Sequence, residues 1–141
     1  MSVGFCWPAR CSAARWNASS RTNEYLKTRE QFGVPIGSFQ ALKHRAAQMF
    51  CELELSKSVV LEALSALDEE SDEIPELASL AKARLNDTYN LVSSESVQMH
   101  GGIGMTDEYD IGFFLKRSRV CEHTFGNSAF HRDRYGETQG Y

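Results

Sequence analysis

Two short stretches hold most of the residues suited to gripping a ligand. Tyr25 to Gly33 reads YLKTREQFG, and Gln98 to Asp110 reads QMHGGIGMTDEYD. In the first, Arg29 offers a guanidinium fork of the kind that grips phosphate. Gln31 adds an amide, and Phe32 adds a flat apolar face. In the second, Gly101, Gly102 and Gly104 leave the backbone bare, so an anionic group can come close to its N–H donors. Gln98, about one helical turn earlier, adds another amide. Taken singly, each stretch has a plainer reading. Arg29 near a helix C-terminus compensates the dipole, and Gly101 with Gly102 makes a C-cap and a sharp loop. The spacing Gly-Gly-x-Gly is not a dinucleotide fingerprint, because no strand pattern precedes it, and no Gly-Lys-Ser/Thr marks a P-loop.

Other chemistries find less support. His44, His100, His123 and His131 show no paired ligand spacing, so no metal site is expected. No nucleophile elbow supports a Ser-His-Asp arrangement. The run KRSR, Lys116 to Arg119, is short and reads as a solvated helix face.

The elements that must position the two stretches read as helices. Thr22 to Gln31 is helical, stopped by Gly33 and Pro35. Ser38 is placed to cap the next helix. Leu42, Ala46, Met49, Leu53, Ser56, Val60, Ala63 and Leu67 then recur at alternating steps of four and three, a bundle seam ending near Leu67. Asp68 to Pro75, DEESDEIP, is a solvated acidic turn that also places carboxylates where a following helix dipole favours them. Glu76 to about Met99 is the next helix, with a thinner apolar face of Leu77, Ala81, Leu85, Val92 and Met99. Shorter helices follow at Ile111 to Cys121 and about Ser128 to Tyr135. No strand pattern of useful length is present. The expected fold is all-α, an up-down four-helix-type bundle with short extra helices, which allows both turns to sit at one end.

Composition narrows the class. The 141 residues suit one domain with a real core. Residues 1–21 carry three arginines and no acid, whereas residues 22–141 carry a net charge of −7, giving −4 overall. An acidic body without a Lys/Arg cluster argues against nucleic acid as a partner. No run approaches the apolar length that spans a bilayer. Four cysteines in a chain this long do not form a disulfide framework, Cys51 reads as a buried hydrophobe, and a reducing cytoplasm is the expected home. Residues 1–21 differ from the rest, holding both tryptophans and weak apolar periodicity. They read as an atypical head, disordered at residues 1 to about 15 or oddly packed, and as the mark of an artefactual or truncated start. The bundle is placed at residues 22–141.

At the two stretches the chain resembles the C-terminal domain of the acyl-CoA dehydrogenases, over roughly Thr22 to Tyr135. YLKTREQFGVPIGSFQALKHRAAQM is similar to one signature of that family, and QMHGGIGMTDEYDIGFFLKR to another. The resemblance implies that FAD lies between a preceding β-domain and this bundle. It implies that Arg29 and Gln31 contact the FAD pyrophosphate region, with Phe32 near the cofactor. Gln98 and the backbone at Gly101 and Gly102 would hold the adenosine-diphosphate portion. It also implies that these contacts cross to a neighbouring subunit in a homodimer or homotetramer, or in a heteromeric acyl-CoA dehydrogenase. The family reaction removes the α-proton of an acyl-CoA with a carboxylate base and passes the β-hydride to the flavin.

Two departures qualify what the resemblance implies. Where many members carry Glu-Gly-Thr, this chain has Phe125, Gly126 and Asn127, and a phenyl ring takes no proton. Glu122, three residues earlier, is not assigned the role, so no catalytic residue is named. The domains that would bind acyl-CoA and the isoalloxazine face are also absent from these residues. The expectation is therefore a chain inactive alone that contributes FAD contacts and oligomerisation. The alternative is a non-catalytic helical interaction subunit or module that no longer binds FAD.

Overall fold

A computed structural model of the chain describes the backbone of residues 3–141 and the side chains from Ala13 onward. Helix α1 runs Val3–Thr28, and a two-residue hairpin follows, β1 (Glu30–Gln31) against β2 (Val34–Pro35). A 3₁₀ turn at Ile36–Ser38 leads into α2 (Gln40–Asp68). Then come α3 (Ile74–His100), a second 3₁₀ segment at Gly101–Met105, α4 (Ile111–His123) and α5 (Ser128–Thr138). The first four helices pack up-down-up-down. Arg45 pairs with Glu95 and Arg84 with Glu52, which makes α2 antiparallel to α3. The α3–α4 contacts Ser93–Ser118 and Asn90–Glu122 make that pair antiparallel as well.

The seam expected on α2 is in place. Met49, Leu53, Ser56 and Ala63 are buried, and α2 at 29 residues is a rod of roughly 44 Å. Leu67 at its end is exposed. The main core joins Ala18, Leu26, Met49, Leu53, Val92 and Met99 from three helices. Helix α3 is the central element, packed by every other helix. Its buried face is broader than its leucines suggest, because Ser79, Lys82, Asn86, Thr88, Ser93 and Ser96 lie inside too. Small hydroxyl residues fit there because several bond locally, as Ser79 does to the Pro75 carbonyl at 3.0 Å.

Four sequence expectations change. The first helix does not reach Gln31 but stops at Thr28, and the Glu30–Pro35 segment is a hairpin, too short to show a strand pattern. Upstream, α1 continues without a break across residue 21, and Ala18, Ser19 and Thr22 are buried on it. Composition shifts there while the helix does not. The packing expected of residues 1 to about 15 falls largely on side chains outside the described residues, which begin at Ala13. Ser38 does not cap α2, whose N-cap is Phe39 without a side-chain bond. Helix α3 begins two residues earlier than expected, with Pro75 in its first turn, a position where the missing N–H costs nothing. Cys51 is exposed, one step past Phe50 on the outward side of α2. Cys121 is buried and disulfide-bonded. Among the described residues no helix is long and apolar enough to cross a membrane.

Candidate functional site

Arg29 sits in the single residue between α1 and β1. Its N–H donates to the Tyr25 carbonyl at 2.8 Å, and its carbonyl accepts from Ile36 N–H at 2.8 Å. Both backbone groups are thus committed, while the side chain is exposed. The hairpin pairs Glu30 with Pro35 and Gln31 with Val34, which leaves Phe32 and Gly33 as its two-residue loop. Both have positive φ, 57° and 78°. That is the signature of a type I′ turn, whose twist suits a tight hairpin. Gly33 adopts it freely. Phe32 does so against the steric preference of an L-residue, and its ring is 93% exposed, edge-on to Phe39 with centroids 6.1 Å apart. A strained backbone that displays a large apolar ring is a local sacrifice of stability, and such sacrifices cluster where a ligand or partner is held. Gln31 turns its amide back to the Glu30 carbonyl at 2.7 Å, an exposed bond that a ligand can replace.

The second turn closes α3. Gly101 ends the helix at φ 68°, a conformation other residues resist. Gly101 and Gly102 are exposed, and a Cβ on either would meet nothing within 4 Å, so their backbone is open to an approaching group. Gln98 is exposed on the last turn of α3. Gly104 differs in being buried, with a Cβ there falling 2.9 Å from both His100 Cβ and the Val97 carbonyl.

An aromatic clasp brings the two turns to one end of the bundle. The Tyr25 ring stacks on the His100 imidazole, centroids 4.2 Å apart and planes 18° from parallel. Tyr109 meets both edge-on, at 5.4 Å and 5.5 Å. Arg21 reaches across to Asp110 at 3.0 Å, closing the outer side. Tyr25 lies one turn before Arg29, and His100 directly precedes Gly101. The clasp therefore sets where the Arg29 hairpin stands relative to the glycine turn. The His100 Nδ1 lies 2.7 Å from the Ser96 carbonyl, which can only accept, so Nδ1 carries the proton. Burial holds the imidazole pKa below its ordinary value, with the Ser96 carbonyl opposing in part. Beside the clasp is a cavity of about 320 Å³, lined by Arg21, Glu24, Tyr25, Thr28, His100 and Tyr109 among others. Among the described residues no hydrogen bond joins Arg29, Gln31 or Phe32 to Gln98, Gly101 or Gly102. Each turn presents its own donors.

The sequence alone does not reveal the clasp, because Tyr25 carries no motif of its own and His100 has no partner at metal-ligand spacing. The signal is present in the spacing, since Tyr25 precedes Arg29 by four residues, about one helical turn.

The Phe125 region lies elsewhere, between α4 and α5. Phe125 has φ 64° and is 58% exposed. Glu122, one turn before it, accepts from Asn90 at 3.1 Å and from Arg119 at 3.3 Å. These bonds, the Asn90 amide first, hold its carboxyl pKa below the usual value. An ionised carboxylate already engaged twice is a poor proton acceptor. Among the described residues no group of three His, Cys, Asp or Glu side chains converges on a metal-sized site.

The sequence model of the family described as acyl-CoA dehydrogenase, C-terminal domain, matches residues 9–139. Acyl-CoA dehydrogenase IpdE2 of Mycolicibacterium smegmatis is 40% identical over 119 residues, covering 82% of this chain and 36% of that protein. The mitochondrial isobutyryl-CoA dehydrogenase of Bos taurus is 33% identical over 121 residues, covering 85% of this chain and 29% of that protein. The solved butyryl-CoA dehydrogenase of Megasphaera elsdenii superposes on 96% of this chain, and on 35% of its own, with a TM-score of 0.91 at 24% identity, a likeness of fold. The chain thus spans about a third of the length of the curated relatives it matches.

Proposed function

The chain belongs to the acyl-CoA dehydrogenase family, as its C-terminal domain, and from that premise we propose that it supplies the phosphate-holding half of a shared FAD site in an acyl-CoA-oxidising assembly. Arg29 and Gln31 would hold the pyrophosphate, with the Phe32 ring packed beside the cofactor. Gln98 and the backbone at Gly101 and Gly102 would hold the adenosine-diphosphate portion.

The residues fit such a group. The observation that carries the reading is Phe32, a 93% exposed ring kept at φ 57° beside an exposed guanidinium. Among the described residues, a ring this exposed gains little packing to repay that strain. A flat cofactor with a dianionic bridge would, by covering the ring and pairing with Arg29. The open space over Gly101 and Gly102 supports the same reading from the other turn. When bound, FAD accepts the hydride that leaves an acyl-CoA in the family reaction. The residues of this chain bind and orient. None of them takes the substrate proton, since Phe125 stands at the family's carboxylate position and Glu122 is engaged. We therefore read the chain as inactive alone, with acyl-CoA handled by other parts of the assembly.

The partner is a second copy or a homologous dehydrogenase subunit. Phe50, Leu61 and Leu64 support this, because they lie on the outward face of α2 at 56%, 58% and 39% exposure. An apolar face of that kind is covered in an oligomer. The same face also favours the second reading, a helical interaction module without flavin. Titration of the purified assembly with FAD, alongside its Arg29→Ala variant, separates the two. Flavin retention that the variant loses supports the shared site, and an intact complex indifferent to FAD supports the module.

A further inference from the structure

A turn held by several buried hydrogen bonds lies away from the proposed flavin contacts. Lys82 is on α3 and only 7% exposed. Its ammonium donates to the Cys121 carbonyl at 2.7 Å and to Asn86 Oδ1 at 2.7 Å. The Cys121 carbonyl is one of the four at the end of α4 that the helix leaves without a partner, and a cation there also meets the negative end of the dipole. Asn86, oriented by Lys82, donates its Nδ2 to the Gly126 carbonyl at 3.3 Å. His131 on α5 contributes its Nε2 to the Phe125 carbonyl at 2.8 Å, and since a carbonyl only accepts, Nε2 is the protonated nitrogen. Ser128 ties the start of α5 to the Ala83 carbonyl at 3.3 Å. The Cys121 carbonyl near the end of α4, the Gly126 carbonyl of the turn and the start of α5 are thus each tied to one stretch of α3, Lys82 to Asn86.

That turn contains two consecutive left-handed residues, Phe125 at φ 64° and Gly126 at φ 104°. Glycine accepts the conformation and phenylalanine resists it. A non-glycine residue persists there only when its surroundings over-determine it. Two carbonyls in a row, each held by a side chain from a different helix, meet that condition. A buried ammonium is costly unless fully bonded, so its retention here calls for a role beyond packing.

We infer that Lys82 is a positioning residue, which through Asn86 and the Cys121 carbonyl fixes the left-handed turn that displays Phe125. On the family correspondence taken in the proposed function, this turn is the one that would aim a base, and in this chain it carries an apolar ring instead. The inference rests on hydrogen bonds within the chain and holds whether or not FAD binds.

The test is NMR relaxation of the backbone amides of Phe125 and Gly126 in the full chain, in three variants. Lys82→Met removes the ammonium. Asn86→Asp keeps an acceptor for Lys82 but removes the donor to Gly126. Ser93→Ala breaks the Ser93–Ser118 bond between α3 and α4, 3.1 Å long, and serves as a control for general loosening of that interface. The expected result is fast local motion at Phe125 and Gly126 in Lys82→Met and in Asn86→Asp, with helix-like order retained in Ser93→Ala. If Lys82→Met does not fold, Asn86→Asp decides alone. Turn amides as rigid in Asn86→Asp as in the natural chain, or equally mobile in Ser93→Ala, would overturn the inference.

Discussion

The ring of Tyr25 lies on the imidazole of His100, 4.2 Å between centroids, and this contact joins the two motifs that sequence separates by some seventy residues. It spans α1 and α3 at their C-terminal ends, one turn from Arg29 and one residue from Gly101. Such a pair contributes about 0.5–1.5 kcal/mol beyond the area it buries. Tyr25→Leu should therefore lower unfolding free energy by about 1–3 kcal/mol in a denaturant titration. It should also weaken FAD binding by more than a surface substitution such as Lys27→Ala does, because the two turns lose their common support.

His100 makes that support sensitive to acid. Its pKa is lowered by burial, so between the ordinary value of 6.5 and the folded value the unfolded chain binds a proton that the folded chain refuses. The His100 contribution is complete above pH 6.5 and is lost as pH drops through that window. His100→Phe keeps a ring on Tyr25 and removes the titration. The acid limb of the stability–pH curve should be shallower in the variant, and equal slopes would refute the assignment.

Lys82 predicts the opposite limb. Burial pushes its pKa down to about 8 from 10.5, partly opposed by Glu122. Between those values the unfolded chain holds the proton and the folded chain does not, so this group makes stability rise with pH across the window, by on the order of 3 kcal/mol. Below about pH 8 the fold carries the whole cost of the buried ammonium. Lys82→Met abolishes the rise, and the difference between the two curves isolates Lys82 from other alkaline titrations.

The hairpin tip should trade stability against binding. Asn-Gly is the preferred pair for a type I′ turn. Phe32→Asn places it at the loop and removes an exposed ring from a strained position. The variant should unfold at higher denaturant, with a gain of about 0.5–1 kcal/mol, yet bind FAD more weakly. A loss of stability instead would mean that the ring packs within the fold.

The two exposed motifs and the long seam of α2 were legible because each is local. Arg29, Gln31 and Phe32 are adjacent in sequence, and a 3.6-residue period shows itself in any window. Their arrangement was less legible. The hairpin occupies two residues per strand, too few for alternation to register. Helix α1 hid behind an Arg- and Cys-rich composition, because burial of Ala18, Ser19 and Thr22 depends on small size more than on hydropathy. The role of Lys82 is hidden for a related reason, since a charge inside α3 is satisfied by a carbonyl thirty-nine residues away. No spacing rule carries that information.

The central claim is that Arg29 and the glycine turn hold FAD, and Arg29→Ala tests it most directly when FAD affinity of the assembled protein is measured by titration calorimetry. Loss of charge-assisted contacts worth about 1.5–3 kcal/mol corresponds to roughly 10- to 150-fold weaker binding. Gly102→Ala should weaken FAD with little effect on folding, because its Cβ enters open space. Gly104→Ala should destabilise the fold instead, by about 1–3 kcal/mol, since its Cβ meets packed atoms at 2.9 Å. The predicted result is a folded, assembled Arg29→Ala protein whose FAD affinity has fallen at least tenfold. An affinity equal to that of the natural protein, in an assembly that binds FAD, would contradict the account.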